Sequence, residues 1–420
     1  MRKLVFLLLI IPGILFAGGQ EEPEQLRLAI AADYLATGQC EAMGWEESMW
    51  YEELVMPAFK EEYGIDVELL PVQADDNSTK KLDALIAAGL TPNAYIDYAG
   101  RVGLYAKPGM ATPLNKYIEQ DVIDQYFESY IDMFSTDGEL YALPTKAWTT
   151  MGVINLTILK AIDMEYILED GLTYDEVYEA GKAVKKLGDD YYGTALFANQ
   201  AGGDYWIYSF WLGGHGAKLY NEDGTIGLNT PEGINALTTM KRFSQDGILN
   251  PGAAGFGPAE YLNLFNAGKV LTMSMGPQYA TIDSFEAATI GTPRVPGVEF
   301  APVATGPDAT MVFNTGTDGE KKAAAKLVEF LASKRWQEPQ ARSGAYPTMR
   351  GVPGSDAVWW QEAVDYTEKH GVMYHGIGGA HYQEIRALWF PMVQAILTEE
   401  LTVEEAVARF EKEGNAIIAR

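Results

Sequence analysis

The sequence predicts an α/β protein of two lobes. Strand-like and helix-like segments alternate between residues 26 and 98, and the alternation returns after residue 173. This order implies parallel strands joined by right-handed crossovers. The chain has 420 residues, 47% of them apolar, which is enough to build two separate cores.

The first alternation contains three predicted strands and two predicted helices. Gly64 follows the first helix and Gly89 follows the second, as expected at a helix C-terminus. In chain order the predicted elements are a strand over 26–31, a helix over 48–62, a strand over 66–72, a helix over 78–88 and a strand over 94–98.

The second alternation is marked by helix-start signals. Thr173 with Glu176, and Thr402 with Glu405, have the spacing of a capping box. In Thr230-Pro231, proline occupies its favoured first helical position. The predicted elements are helices over 174–187, from 231 to the breaker at 247, over 320–332 and after 402, with strands over 193–199 and 270–275.

The net charge of −27 limits the partners that the protein can have. Nucleic-acid binding needs concentrated Lys and Arg, and anionic membranes attract basic segments, so the charge argues against both. Cys40 is the only cysteine, so no intrachain disulfide is possible. A lone thiol of this kind is expected to be inert.

The N-terminus has the layout of a secretory signal peptide. Arg2 and Lys3 precede an apolar run over 4–16, and small residues follow. We expect residues 1–19 to be the signal and residues 20–25 to form a flexible leader. The run is too short to span a bilayer comfortably, and no Cys follows it to carry a lipid anchor. An exported protein, periplasmic or extracellular, is therefore predicted.

Several ordered segments resemble one protein family. The most informative is FNAGKVLTMSMGPQYATID (265–283), in which a helix ends at Gly268, a strand follows, and a Gly276-Pro277 turn leads into polar and aromatic residues. The others are TPNAYIDYAGRVGLYAKPGMATPLNKYI (91–118), DGELYALPTKAWTTMGVIN (137–155), LNTPEGINALTTMKRFSQDGILNP (228–251) and GEKKAAAKLVEFLASKRWQ (319–337). In this order and spacing they are similar to family 1 extracellular solute-binding proteins, the sugar-binding, maltodextrin-binding-protein-like branch of ATP-driven importers.

The resemblance implies a two-lobe, type II periplasmic-binding-protein-like fold with three hinge crossings and a cleft between the lobes. The expected crossings lie near 144–150, 273–279 and 311–317. Lobe 1 would then comprise 26–144 and 280–312, and lobe 2 would comprise 150–273 and 316–420. The resemblance also implies a monomer without a cofactor that captures a carbohydrate and delivers it to the permease subunits of an ABC importer.

A carbohydrate site combines flat aromatic side chains, which cover the C–H faces of a sugar, with polar groups that bond its hydroxyls. The candidate ligand-binding residues are Asp97, Tyr98, Arg101, Trp148, Asp204, Tyr205, Trp206, Gly276, Gln278, Tyr279, Trp45, Glu46, Tyr374, His375 and Arg386. Asp97 and Arg101 could instead form a structural ion pair, and Tyr98 and Trp148 could instead pack in the core. Gln278 stands where sugar-binding relatives often have a stacking Trp. Lys146 is expected to be only a solvated hinge charge.

Other chemistries lack a recognisable motif. The four histidines have no metal-binding spacing, and the sequence has no phosphate loop, dinucleotide fingerprint or GxSxG elbow. Two alternative functions remain open. The same fold can bind another small polar solute, such as a polyamine. A secreted glycoside hydrolase would also combine aromatics with carboxylates, but it needs a catalytic acid pair that we do not recognise here.

Overall fold

The computed structural model describes residues 22–30, 50–72, 79–168, 172–199, 207–281, 284–342, 344–370, 372–373 and 381–420. The predicted signal peptide, Cys40 and the first residues of the leader lie outside these ranges. Within the leader, Glu22 forms an ion pair with Lys326, and the first strand begins at Gln25.

The elements alternate much as the sequence predicts. The strands are β1 Gln25–Ile30, β2 Asp66–Pro71, β3 Ala94–Tyr98, β4 Ser135–Thr136, β5 Glu139–Leu140, β6 Ala142–Asn155, β7 Tyr192–Thr194, β8 Val270–Met275, β9 Ala287–Ile290, β10 Val303–Val312 and β11 Val372–Met373. The α-helices are α1 Met56–Tyr63, α2 Lys80–Ala87, α3 Ala99–Tyr105, α4 Gln120–Ile123, α5 Glu128–Asp132, α6 Leu156–Ala161, α7 Tyr174–Val184, α8 Pro231–Gln245, α9 Pro258–Asn266, α10 Asp318–Ala332, α11 Lys334–Arg342, α12 Val358–His370, α13 Tyr382–Leu397 and α14 Val403–Ile418. Short 3-10 or π-helical turns occupy Trp50–Val55, Leu114–Lys116, Glu165–Leu168, Tyr208–Leu212, Gly213–His215 and Pro277–Thr281.

The main sheet has the strand order β2-β1-β3-β10-β6-β8-β7, with β11 paired to β10 and β9 paired to β6. β1 is parallel to both β2 and β3, as the first alternation predicts. β10 is antiparallel to β3 and to β6. The capping boxes predicted at Thr173 and Thr402 are both formed.

One long strand belongs to both ends of this sheet. Residues 142–150 of β6 pair with β10, whereas residues 151–155 pair with β8 and β9. We call β1, β2, β3, β10 and residues 142–150 the first sheet segment, and β7, β8, β9 and residues 151–155 the second sheet segment. The change of partner falls at the end of the predicted first crossing.

The strand pairing after β6 bears on the other two expected crossings. After Met275 the chain forms β9, which pairs with residues 152–155 of β6 in the second sheet segment, so the strands before and after 276–286 both belong to that segment. The chain changes segment between β9 and β10, because β10 pairs with β3 and with residues 142–150 of β6. Ala323 and Leu327 of α10 then share a core with Leu26 and Leu28 of β1, so the helix expected in lobe 2 lies on the first sheet segment. Local patterns could not predict these pairings, because each joins residues far apart in the chain.

Aromatic packing holds α10 against the first sheet segment. The rings of Phe59 and Phe330 lie with centroids 5.3 Å apart in an edge-on arrangement, and Trp336 packs on both Phe330 and Trp50. All four side chains are buried. Burial of each such ring stabilises the fold by about 1.5–3 kcal/mol.

A buried serine joins the helices over the second sheet segment to the point where β6 changes its partner strand. Ser209 lies in the short turn Tyr208–Leu212. Its hydroxyl donates to the carbonyl of Thr150 at 3.1 Å and lies 2.5 Å from the Thr150 hydroxyl. Its oxygen also accepts the backbone N–H of Ala304 at 2.6 Å. One hydroxyl thus joins β6, β10 and the helical layer where the two sheet segments meet.

No helix within the described ranges is both long and apolar enough to cross a membrane.

Replacing Ser209 with Ala tests this junction. The variant leaves the buried Ala304 N–H without its acceptor, so we expect the free energy of unfolding to fall by about 1–3 kcal/mol, measured by urea denaturation. Ser284→Ala is the matched control, because Ser284 is exposed and its loss should change stability by under about 0.5 kcal/mol. Equal stability of the two variants would contradict the assignment.

Candidate functional site

Three side chains form a row across the middle of the first sheet segment. Asp308 of β10 stands directly opposite Tyr98 of β3 and directly opposite Lys146 of β6. Because directly opposed residues of antiparallel strands project from the same face of a sheet, the three side chains lie side by side. Trp148, two residues after Lys146, projects from this face as well. We call these four residues the hinge-strand row.

The two charges of the row form an ion pair. Lys146 Nζ lies 3.5 Å from Asp308 Oδ2, and the two side chains are 17% and 4% exposed. Burial, and next the charge of Asp308, raise the pKa of Tyr51 well above its ordinary value. Lys146 is therefore not the solvated hinge charge that the sequence suggested, because it is largely buried against a carboxylate.

Asp97 and Arg101 also pair. Arg101 Nη1 donates to both Asp97 oxygens at 3.2 and 3.1 Å, the Tyr95 hydroxyl donates at 2.8 Å, and the Tyr98 N–H donates at 2.7 Å. Burial raises the pKa of Asp97 to about 6, against the opposing effect of Arg101 and these hydrogen bonds. Both residues are buried, so the observed contact is the structural ion pair, and their contact with a ligand stays a prediction.

The Tyr98 side chain contacts α13, a helix near the C-terminal end of the chain. Arg386 Nη1 of α13 donates to the Tyr98 hydroxyl at 2.9 Å, and Gln383 donates to the same oxygen. The helix approaches closely enough that a Cβ on Gly100 would lie 2.3 Å from Tyr382 Cε1. Three predicted site residues, Tyr98, Arg101 and Arg386, are thus brought together, since the Arg101 guanidinium also lies 4.7 Å from the Tyr98 ring centroid.

α13 is attached to the helices over the second sheet segment. Its Trp389 packs on Tyr208 with ring centroids 4.7 Å apart. Trp211, in the same turn as Tyr208 (Tyr208–Leu212), stacks on Tyr174 of α7 with ring centroids 5.7 Å apart. Tyr98 and Arg386 therefore form a contact between groups of elements built on different sheet segments.

The residues around the Gly276-Pro277 turn lie near one end of the row. Met275 stands opposite Met151, so the antiparallel chain leaves the sheet at the level of the residues just before Met151, which include Trp148. Trp148 is half-buried. Tyr279 packs against the apolar cluster that contains Met273 and Met275, and burial raises its pKa. Its observed partners are thus core residues of the second sheet segment.

Part of the predicted site cannot be placed. Trp45, Glu46, Asp204, Tyr205, Trp206, Tyr374 and His375, together with the Gln278 side chain, lie outside the described residues. Among the residues that are described, no three His, Cys, Asp or Glu side chains are grouped so that they could hold a metal ion. The buried His215 and His370 each have a pKa lowered to about 4, chiefly by burial, and are neutral near pH 7.

Sequence reasoning missed Asp308, Tyr51 and Gln383, and it discarded Lys146. One signal was available. Asp308 is the only charged residue within the otherwise uncharged run 300–317, and Lys146 is the only charged residue of β6. A single charge inside a buried strand predicts a paired or functional group. The pairing of these two strands, which brings the charges together, was not available from the sequence.

Comparisons with known proteins agree with the expected fold. Residues 45–338 match the profile of the family described as bacterial extracellular solute-binding protein. A putative binding protein of Brucella abortus is 27% identical over 295 residues, which are 68% of this chain and 69% of that protein. The maltotriose-binding protein of Pyrococcus abyssi is 25% identical over 69% of this chain and 62% of its own length.

A solved structure shares the whole architecture. The ABC transporter solute-binding protein of Thermotoga lettingae, bound to α-D-tagatose, superposes with a TM-score of 0.76 at 20% identity, covering 94% of this chain and 100% of that one. At this level of identity the likeness establishes the fold, and it confirms the predicted two-lobe, type II class.

The Asp97–Arg101 pair gives a stability prediction. Asp97→Asn removes the carboxylate that compensates a buried guanidinium, so the free energy of unfolding should fall by about 3–5 kcal/mol in urea denaturation. The double variant Asp97→Asn/Arg101→Met leaves neither charge in place and should regain a large part of the loss. A loss below about 1 kcal/mol for Asp97→Asn, as is usual for exposed pairs, would show that the pair is not structural.

Proposed function

The chain belongs to the bacterial extracellular solute-binding proteins, and from this premise we propose that it captures a carbohydrate outside the cytoplasm and delivers it to the permease of an ABC importer. The observation that carries the carbohydrate class is the hinge-strand row, in which a half-buried Trp148 stands beside an ion pair. The names of the relatives support the same class, because one binds maltotriose and one structure holds tagatose.

The chemistry of the row suits a sugar. The flat ring of Trp148 can cover a C–H face with little loss of side-chain entropy. Charged and amide groups nearby can bond hydroxyls, and a desolvated site strengthens the preference for a ligand that matches them. A mono- or oligosaccharide would thus find an apolar face and polar partners on the same side of the sheet.

Binding would proceed by closure about the strand junction, with no chemical step. The elements on the two sheet segments would form two lobes, and α13 would approach Tyr98 in the closed state. A ligand shifts such an equilibrium only through contacts that it gains on closure. The closed monomer would then dock on two permease subunits. An exported location, periplasmic or extracellular, follows from the same proposal.

A thermal-shift screen tests the ligand class. The panel would contain maltose, maltotriose, arabinotriose, lactose, D-mannitol and the polyamine spermidine. A ligand present at 100 times its Kd stabilises the native state by about 2.7 kcal/mol, which raises the Tm by roughly 3 °C for a chain of this length. We expect at least one carbohydrate to do so and Trp148→Ala to abolish the rise.

Two outcomes are informative controls for this screen. Tyr166→Ala removes an aromatic side chain that is 61% exposed and should leave the ligand-induced rise unchanged. Stabilisation by spermidine, with no response to any carbohydrate, would contradict the proposed ligand class while leaving the family fold intact.

A further inference from the structure

The Lys146–Asp308 pair occupies an unusual place. Each residue is the only charge of a strand whose other residues are apolar or uncharged, and every residue of β10 is buried. Taking two charges out of water is costly, and replacing such a pair by apolar residues is often neutral or stabilising. Core stability therefore gives no reason for a charged pair at this position, and a role in recognition would.

A β-bulge lies immediately before Lys146 in β6. The register of β6 against β10 shifts between Asp308 and Ala309, so that Ala309 faces Pro144 and Thr145 is the extra residue. A β-bulge of this kind re-aims neighbouring side chains and is common beside functional sites. Lys146 is the first residue after the bulge, and Trp148 follows on the same face.

The row that carries the pair contacts the helices built on the second sheet segment at Tyr98. Tyr98, directly beside Asp308 in the row, reaches Arg386 of α13 through its hydroxyl. A ligand between the two groups of elements would therefore meet the pair. Lys146, with 17% of its side chain exposed, remains in contact with solvent that a ligand can displace.

We infer that Lys146 and Asp308 bond neighbouring hydroxyls of the carbohydrate beside Trp148 and so set the preference among epimers, an inference that rests on the proposed function. An ammonium group only donates hydrogen bonds and a carboxylate only accepts them, whereas a hydroxyl does both. The pair can thus hold two adjacent hydroxyls in one relative orientation. A sugar with one of them inverted or absent leaves a buried polar group unmatched and is rejected.

The experiment compares affinities by isothermal titration, using the carbohydrate of the thermal-shift panel that binds best and its epimer at one hydroxyl. Lys146→Met/Asp308→Leu removes both charges while roughly keeping side-chain volume, so no buried charge is left uncompensated. We expect its Kd for the preferred sugar to rise at least tenfold and the ratio of the two epimer affinities to fall toward one. The exposed pair Lys60–Asp66 gives the matched control, Lys60→Met/Asp66→Leu, for which both quantities should stay unchanged.

A conservative variant covers the case in which the double variant does not fold. Lys146→Arg keeps the charge and the pairing with Asp308 but presents a planar fork in place of a point donor, so it should change the epimer ratio at least threefold. If the wild type binds a sugar and both variants keep its Kd and epimer ratio, the inference is wrong and the proposed function stands. If the wild type binds no carbohydrate of the panel, the inference fails together with the proposed function.

Discussion

The shared strand β6 is the constraint on which the rest of the structure depends. Its residues 142–150 complete one sheet segment with β10, and residues 151–155 complete the other with β8 and β9. Any movement of one part against the other must therefore be absorbed by a few peptide units around Thr150 and by the chain between β9 and β10. The Ser209 hydroxyl, bonded to both strands, fixes the helical layer to this same point.

The candidate site follows from that arrangement. β6, which spans both sheet segments, carries Lys146 and Trp148, and its partner β10 carries Asp308, so the groups proposed to bind ligand lie where the two parts diverge. Tyr98 joins them from β3, and α13 brings Arg386 from the other part. Recognition and closure would thus depend on the same few residues. Although the net charge of the chain is −27, the two buried carboxylates of this region, Asp97 and Asp308, are each paired with a cation.

Local signals explain what the sequence could predict. β3 and β8 have the predicted bounds, and both capping boxes are formed, since periodicity and capping act within a few residues. The strand predicted over 193–199 is only Tyr192–Thr194. The lobe bounds and the crossings after β6 stay predictions, and the strand pairings that bear on them, such as Gly152 with Ile290, join residues far apart in the chain. The Lys146–Asp308 pair was missed for the same reason, as its members are joined only by strand register.

The central claim is that a carbohydrate brings the two parts together about the β6 junction. Spin labels at Glu61→Cys on α1 and Glu232→Cys on α8, in a chain with Cys40→Ser, report the distance between exposed positions on the two parts. Pulsed electron–electron double resonance, with and without the carbohydrate that stabilises the protein, measures this distance most directly. The account predicts that the ligand converts a broad distribution into a single shorter distance. An unchanged distribution at saturating ligand would contradict it.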